Sequence, residues 1–183
     1  MTRDDWIRHL SALGGAEAAP LPPDRTLFEG PRGEQLLWRT CRDRPEQGPA
    51  VAREVLGSRR GPLLSKDAFL AIEVWTECEL AALHALHRLA RHAAAIGDPA
   101  GAAYLSARSS EAIAWHLEHT QPDNATNRPW AIHAFLMADD PTGDASAYAG
   151  TLLHNMSASE ARGEPLSRWI LADAARELAL ARA

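Results

Sequence analysis

Residues 65–97 read SKDAFLAIEVWTECELAALHALHRLARHAAAIG, and this stretch decides the fold. Its apolar side chains recur every three or four residues, which is typical of a helix that buries one broad face. Ser65 suits the N-cap position, and the Ile96-Gly97 pair suits a helix end. We therefore predict one long helix from Ser65 to about Ala95.

Helix signals continue along the chain after this stretch. Asp98-Pro99 predicts a second helix that ends near Thr120, because Asp caps a helix and Pro suits its first position. Short turns separate the predicted helices, so neighbouring helices should be antiparallel. The fold class is predicted to be all-α, an antiparallel helical bundle or partial α/α-toroid of about five helices. The later helices are expected at residues 129–138, 145–157 and 165–181.

The chain before Pro62 has a different pattern, because seven of the 12 prolines lie at or before this residue. We predict a short helix over residues 2–13. An irregular wrap should then follow across residues 20–62, with a short hairpin or one helix at 49–56. The whole chain, 1–183, is interpreted as a single domain, in which 1–62 form the N-terminal helix and wrap and 63–183 form the helical core.

Composition excludes several classes of function. The chain carries 19 Lys and Arg against 24 Asp and Glu, so it lacks the basic surplus that nucleic-acid binding needs. No apolar run is long enough to span a membrane, and the N-terminus lacks the apolar segment of a signal peptide. The two cysteines have no CxxC spacing. We expect a cytoplasmic protein that binds neither nucleic acid nor membrane.

Residues 112–135 read AIAWHLEHTQPDNATNRPWAIHAF. This segment resembles a helical-hairpin repeat of α/α-toroid proteins, the terpenoid cyclases and protein prenyltransferases. Hairpins of that family often end in a Gln-x-x-Asp-Gly-x-Trp-like turn. Gln121, Asp123 and Trp130 match this turn, the loop is longer, and Asn124 replaces the glycine. The resemblance implies helical hairpins; neither the cyclase acid motif nor the prenyltransferase zinc set occurs, so it implies no catalytic residue.

Two His-x-x-His pairs, His84/His87 and His116/His119, each place two imidazoles on one helix face. A chain reversal at residues 97–98 would place His116 level with Glu79. The same register puts His84 and His87 roughly 10 Å further along the hairpin. We expect that pair at the rim of the bundle.

The same reasoning predicts a polar cluster at one end of the bundle. The reversal at 97–98 places His119 level with Thr76 and Glu77, and a second reversal near residues 124–125 places His133 opposite His116. One end of the bundle would therefore collect the three histidines with either Glu77 or Glu79. Imidazoles with one carboxylate suit a first-row divalent metal ion, which would lower the pKa of a bound water. Without a metal, His beside Glu is an acid–base pair, or the histidines are structural and capped by their neighbours. The predicted metal ligands are Glu77, His116, His119 and His133.

Tryptophan and amide side chains surround this cluster in the sequence. Such residues suit a site for a small polar or aromatic ligand, and a connector that caps two helix ends needs the same residue types. The predicted ligand-binding residues are Trp115, Asp123, Asn124, Asn127, Arg128 and Trp130.

Two functions remain open at this point. One is a small-molecule or metal-binding helical protein of unknown reaction, whose status as an enzyme is undecided because HExxH, GxSxG and phosphate-loop motifs are missing. The other is a non-enzymatic interaction or oligomerisation module, such as a homo-oligomer, with structural histidines. Trp6, Trp38 and Trp169 favour the second function, since tryptophan is enriched among interface anchors.

Overall fold

A computed structural model describes residues 1–15, 19–120 and 126–181. These residues form eight α-helices and three short 3-10 turns, without a strand among them, so the predicted all-α class is confirmed. None of the described helices has both the length and the apolar character required to cross a bilayer. The helices are α1 (Arg3–Gly14), α2 (Gly33–Asp43), α3 (Gly48–Leu56), α4 (Ile72–Ala95), α5 (Pro99–His119), α6 (Ile132–Met137), α7 (Asp144–Ala158) and α8 (Pro165–Leu180).

The long helix α4 begins later than its N-cap signal predicts. Ser65 makes no side-chain cap, and residues 66–68 form a 3-10 turn instead. Phe69 and Ala71 are extended, and the helix begins at Ile72. By contrast, α5 begins as predicted, because the Asp98 side chain accepts the Gly101 N–H at 2.8 Å.

The chain divides into two compact units, which we name the central unit (Arg25–Thr120) and the terminal unit (Met1–Asp24 with Gln121–Ala183). In the central unit α4 and α5 form a hairpin, α2 packs on α4, and α3 packs on α2, α4 and α5. The fully buried Trp38 of α2 donates its Nε1–H to the Ala81 carbonyl of α4 at 3.1 Å. This bond attaches α2 to the long helix.

Helix α2 lies where the sequence predicted an irregular wrap. The abundance of proline before Pro62 predicts irregular chain here, yet Pro31 stands just before α2 and Gly33 at its first position, where neither residue interrupts the helix. Leu37 and Trp38 are buried on its inner face. Helix α3 confirms the one-helix alternative at residues 49–56, and the hairpin alternative is wrong.

In the terminal unit α1 packs along α8, and α6 packs on α7 and α8. Gly14 lies where α1 meets α8, and a Cβ there would be only 2.5 Å from the Ala172 backbone nitrogen. The close approach of the two helices therefore requires glycine at this position. Trp169 of α8 donates its Nε1–H to the Ala19 carbonyl at 2.7 Å.

The three tryptophans that favoured an interaction module are buried. Trp38 belongs to the core of the central unit, and Trp6 and Trp169 belong to the core of the terminal unit. Their burial follows from the helices that cover them, so they present no indole surface to a partner. The prediction that these three tryptophans anchor an interface is therefore wrong.

The rim position expected for the first histidine pair is also wrong for His84. This side chain is fully buried, and its ring centroid lies 5.6 Å from that of Trp38. Helix α2 covers this face of α4, and the sequence prediction had no helix there. His87 is half-buried, and burial, assisted by His84, lowers its pKa to about 4.

We expect His87 to make the protein less stable as the pH falls. The unfolded chain binds a proton on His87 near pH 6.5 and the folded chain only near pH 4, so the free energy of unfolding falls as pH falls through this window. Urea unfolding of His87→Gln between about pH 7 and about pH 5 should show a smaller loss of stability than the wild-type protein. His154→Gln, at an exposed histidine of α7, is the control and should follow the wild type. Parallel curves for His87→Gln and wild type would contradict the expectation.

Candidate functional site

The carboxylate of Glu79 lies fully buried in α4 and binds the backbone of the segment that precedes this helix. Its Oε1 accepts the Leu63 N–H at 2.5 Å, and its Oε2 accepts the Leu64 N–H at 2.7 Å. A buried carboxylate needs such partners, because its desolvation is otherwise costly. Glu79 therefore holds residues 63–64 against the long helix.

His116 of α5 lies on the other side of this carboxylate and is also fully buried. Its Nε2 is 3.6 Å from Glu79 Oε1, which confirms the predicted register of the hairpin. Its Nδ1 is 2.9 Å from Thr120 Oγ1, and that hydroxyl donates to the His116 carbonyl at 3.0 Å. The Thr120 hydroxyl already donates its proton to the His116 carbonyl, so it can only accept from the ring. We therefore place the ring proton on Nδ1, which donates to Thr120 Oγ1, and Nε2 is the ring nitrogen that faces Glu79.

Aromatic rings pack next to the Glu79–His116 pair. Trp75 donates its Nε1–H to the Leu64 carbonyl at 3.2 Å and meets Trp115 edge-to-face, with centroids 5.9 Å apart. Gly61 lies against Trp115 with a φ of +74°, and a Cβ there would be 2.6 Å from the indole Cδ1. Both the backbone conformation and the space beside the indole therefore require glycine at position 61.

His119 and Lys66 complete this group, which we name the aromatic cluster (Lys66, Trp75, Trp115 and His119). The exposed imidazole of His119 stacks on Trp115, with centroids 4.8 Å apart and planes 4° from parallel. Its Nδ1 is 3.1 Å from the Trp115 carbonyl, which can only accept, so in the neutral ring the Nε2 lone pair remains open to a ligand. The Lys66 ammonium lies 4.6 Å from the Trp75 centroid and 5.0 Å from that of Trp115.

Two arginines pair with Glu111 of α5, and a second acidic side chain of this helix, Glu118, lies 3.8 Å from the His119 Nδ1 of the cluster. Arg108 is buried and pairs with Glu111, and the exposed Arg60 reaches the same carboxylate at 3.3 Å. The charge of Glu111 is therefore balanced by two guanidinium groups.

The structure distributes the predicted ligand-binding residues over both units. Trp115 belongs to the aromatic cluster of the central unit. In the terminal unit Asn127 is exposed, Arg128 pairs with Glu164 at 3.2 Å, and Trp130 is buried. Asp123 and Asn124 lie outside the described residues, as does Gln121.

The predicted metal centre is not supported by the residues that the structure describes. The carboxylate that faces His116 belongs to Glu79, whereas Glu77 is half-buried elsewhere on α4. His119 stacks on the outer side of Trp115, and His133 is buried in α6 of the terminal unit. Across residues 1–15, 19–120 and 126–181, no three His, Cys, Asp or Glu side chains are placed to hold one metal ion. The metal set of Glu77, His116, His119 and His133 stays a prediction.

Cys78 is not available as a nucleophile. Burial, followed by the negative charge of Glu34, raises the pKa of its thiol to about 12. The thiolate is the reactive form, so the thiol of Cys78 stays protonated at neutral pH.

Sequence reasoning missed Lys66, because it placed residues 66–71 inside the long helix. One signal pointed to this residue: Lys66 is the only lysine in a chain whose other basic residues are arginines. The chain between Lys66 and Trp75 folds so that the lysine ammonium contacts the indole, 4.6 Å from its centroid.

Comparisons of the chain with protein-family models, with curated proteins and with solved structures find no match. The resemblance of residues 112–135 to a toroid repeat therefore remains an interpretation of the sequence.

Glu79→Gln should lower the free energy of unfolding by about 3 kcal/mol. The amide oxygen still accepts one of the two backbone N–H groups of Leu63 and Leu64, but the amide N–H₂ faces the other one, which then has no acceptor. Urea unfolding measures this loss. Glu118→Gln, at a side chain of α5 that is 77% exposed, is the control and should change stability little. Equal stability of the two variants would show that the buried carboxylate has no such role.

Proposed function

We propose that this protein is a small-molecule-binding helical protein whose ligand is an aromatic carboxylate held on the aromatic cluster. The observation that carries the proposal is the position of Lys66. Its ammonium lies over two indole rings and pairs with no carboxylate among the described residues. A cation placed in this way offers an incoming anion a charge-assisted hydrogen bond.

The neighbouring rings support a flat ligand. The imidazole of His119 is exposed and held parallel to Trp115, so it offers a rigid aromatic face. Offset or edge-to-face contacts between rings contribute about 1 kcal/mol each beyond the buried area. A ligand with a ring and a carboxylate would use this face and the Lys66 ammonium together.

We propose a positioning role for Glu79 and His116 rather than a reaction at these residues. Both carboxylate oxygens already accept backbone N–H groups, and both side chains are fully buried. The pair packs against the buried side of the aromatic cluster. The His116 ring lies 5.5 Å from the Trp115 ring and 6.2 Å from the Trp75 ring, measured between centroids.

Two further parts of the sequence interpretation remain proposals. The helices are proposed to belong to an antiparallel bundle or partial toroid, supported by the α4–α5 hairpin. The cytoplasm is the proposed location, supported by two cysteines that form no disulfide.

Benzoate should bind to this cluster, and benzamide, its neutral counterpart, should bind more weakly. In ¹H–¹⁵N NMR spectra, benzoate should shift the indole N–H signal of Trp115, which Trp115→Phe identifies. Lys66→Gln should reduce benzoate affinity roughly tenfold, the effect of one charge-assisted contact.

Arg42→Gln is the matched control for this experiment. Arg42 is another exposed cation over an aromatic ring, 4.7 Å from the Phe28 centroid, and it pairs with Asp43. This variant should bind benzoate like the wild type. If benzoate and benzamide bind equally, or if Lys66→Gln binds as the wild type does, the proposed function is wrong.

A second candidate function, an interaction module that forms a homo-oligomer, is favoured by one observation. Leu70 is fully exposed, and Ile72 and Val74 are 51% and 49% exposed, so three large apolar side chains are exposed at or just before the start of α4. Exposed apolar surface is found at association sites.

If Leu70, Ile72 and Val74 mediate self-association, Leu70→Glu should convert an oligomer to a monomer, because the substitution places a charge in an apolar contact. Sedimentation velocity over a range of concentrations measures the change. Ile96→Glu, at an exposed apolar residue at the other end of α4, is the control and should leave the oligomer intact. A wild-type protein that is monomeric at all concentrations removes this candidate.

A further inference from the structure

The terminal unit contains a pocket of about 200 Å³ that is distinct from the aromatic cluster. It lies between the start of α1, the end of α6 and the start of α7. Phe135 and Leu178 form apolar walls, and Arg3, Trp6 and Asp140 contribute polar groups. Drug-sized sites occupy roughly 300–1,000 Å³, so this pocket suits a smaller molecule.

Arg3 and Trp6, which both line this pocket, carry three nitrogen donors that are buried and have no acceptor among the described residues. The Nε and Nη2 atoms of Arg3 and the Nε1 atom of Trp6 have no hydrogen-bond partner among the described residues. Leaving such donors unsatisfied destabilises the folded chain, and a charged group more so than a neutral one. A ligand carboxylate would satisfy them, because guanidinium groups bind carboxylates through paired hydrogen bonds.

An opposite charge lines the same pocket without pairing with Arg3. Asp140 Oδ1 accepts the Thr142 N–H at 3.0 Å, and its Oδ2 accepts the Ala145 N–H at 2.7 Å. These bonds, led by the one from Ala145, lower the pKa of Asp140 and keep it anionic. The Thr142 hydroxyl also donates to Asp140 Oδ1, at 2.6 Å. Arg3 and Asp140 form no ion pair with each other in the described part of the chain, so the two side chains bring separate charges to the pocket that both line.

We propose that this pocket binds a small zwitterion with an apolar side chain, that is, an aliphatic α-amino acid. The carboxylate binds Arg3 and the Trp6 indole N–H, and the ammonium faces Asp140. The aliphatic side chain packs against Phe135 and Leu178. This site is independent of the proposed aromatic-carboxylate site, and its test reads a different tryptophan.

The probe is L-leucine, followed by ¹H–¹⁵N NMR of the full chain. Trp6→Phe identifies the Trp6 indole N–H signal by its loss and retains the ring. Leucine at up to about 10 mM should move this signal downfield, as a new acceptor does, with a dissociation constant in the millimolar range or below. Two partial analogues, 4-methylpentanoate without the ammonium and leucinamide without the carboxylate, should each bind at least about tenfold more weakly.

Variants separate the two charges. Arg3→Met should abolish leucine binding, whereas Arg8→Met should bind like the wild type, because Arg8 lies on the same helix, is 75% exposed and pairs with Asp5. Asp140→Asn keeps an acceptor for the turn and should weaken leucine binding without weakening that of 4-methylpentanoate.

The melting temperature of ligand-free Arg3→Met distinguishes a binding residue from a structural one. It should equal or exceed that of the wild type, since the substitution removes buried donors that lack an acceptor. Three outcomes would overturn the proposal: a Trp6 signal that leucine does not move, equal binding of leucine and 4-methylpentanoate, or a clearly lower melting temperature for ligand-free Arg3→Met.

Discussion

The buried carboxylate of Glu79 is the interaction on which the central unit depends. It accepts two backbone N–H groups from the segment before α4 and lies beside the imidazole of His116 on α5. Three parts of the chain thus converge on one side chain that has no contact with solvent. A group of this kind is costly to bury unless its partners are in place, so the two backbone hydrogen bonds that stabilise the carboxylate also hold the loop against α4.

The position of the loop in turn creates the surface at this end of the hairpin. Because residues 63–64 are held by Glu79, Lys66 stands on a turn above Trp75 and Trp115 rather than inside a helix. Gly61 allows the chain to pass directly against the Trp115 indole. The exposed position of the Lys66 ammonium therefore depends on the buried hydrogen bonds between Glu79 and the Leu63 and Leu64 amides. An apolar side chain at position 79 could not hold this loop in the same place.

Charge balance gives both candidate ligand sites a common physical basis. Most basic side chains near the sites are paired: Arg60 and Arg108 share Glu111, and Arg8 pairs with Asp5. Lys66 and Arg3 have no carboxylate partner among the described residues; Lys66 lies over two indole rings, and Arg3 lines a pocket together with Trp6. A cation that is not paired with a carboxylate of the protein offers an external anion a charge-assisted hydrogen bond.

The sequence by itself determined the all-α class, the start of α5 at its Asp-Pro cap, and the level of His116 with Glu79, because helical periodicity and chain reversal depend only on local geometry. It could not determine helix α2 or the burial of His84, since burial depends on which distant segment covers a face. The same holds for the choice of Glu79 over Glu77. Glu77 and Glu79 lie two residues apart on different sides of α4, and only the tertiary structure brings the Leu63 and Leu64 amides to one of them. Hydrogen bonds between separate segments follow from packing and not from spacing.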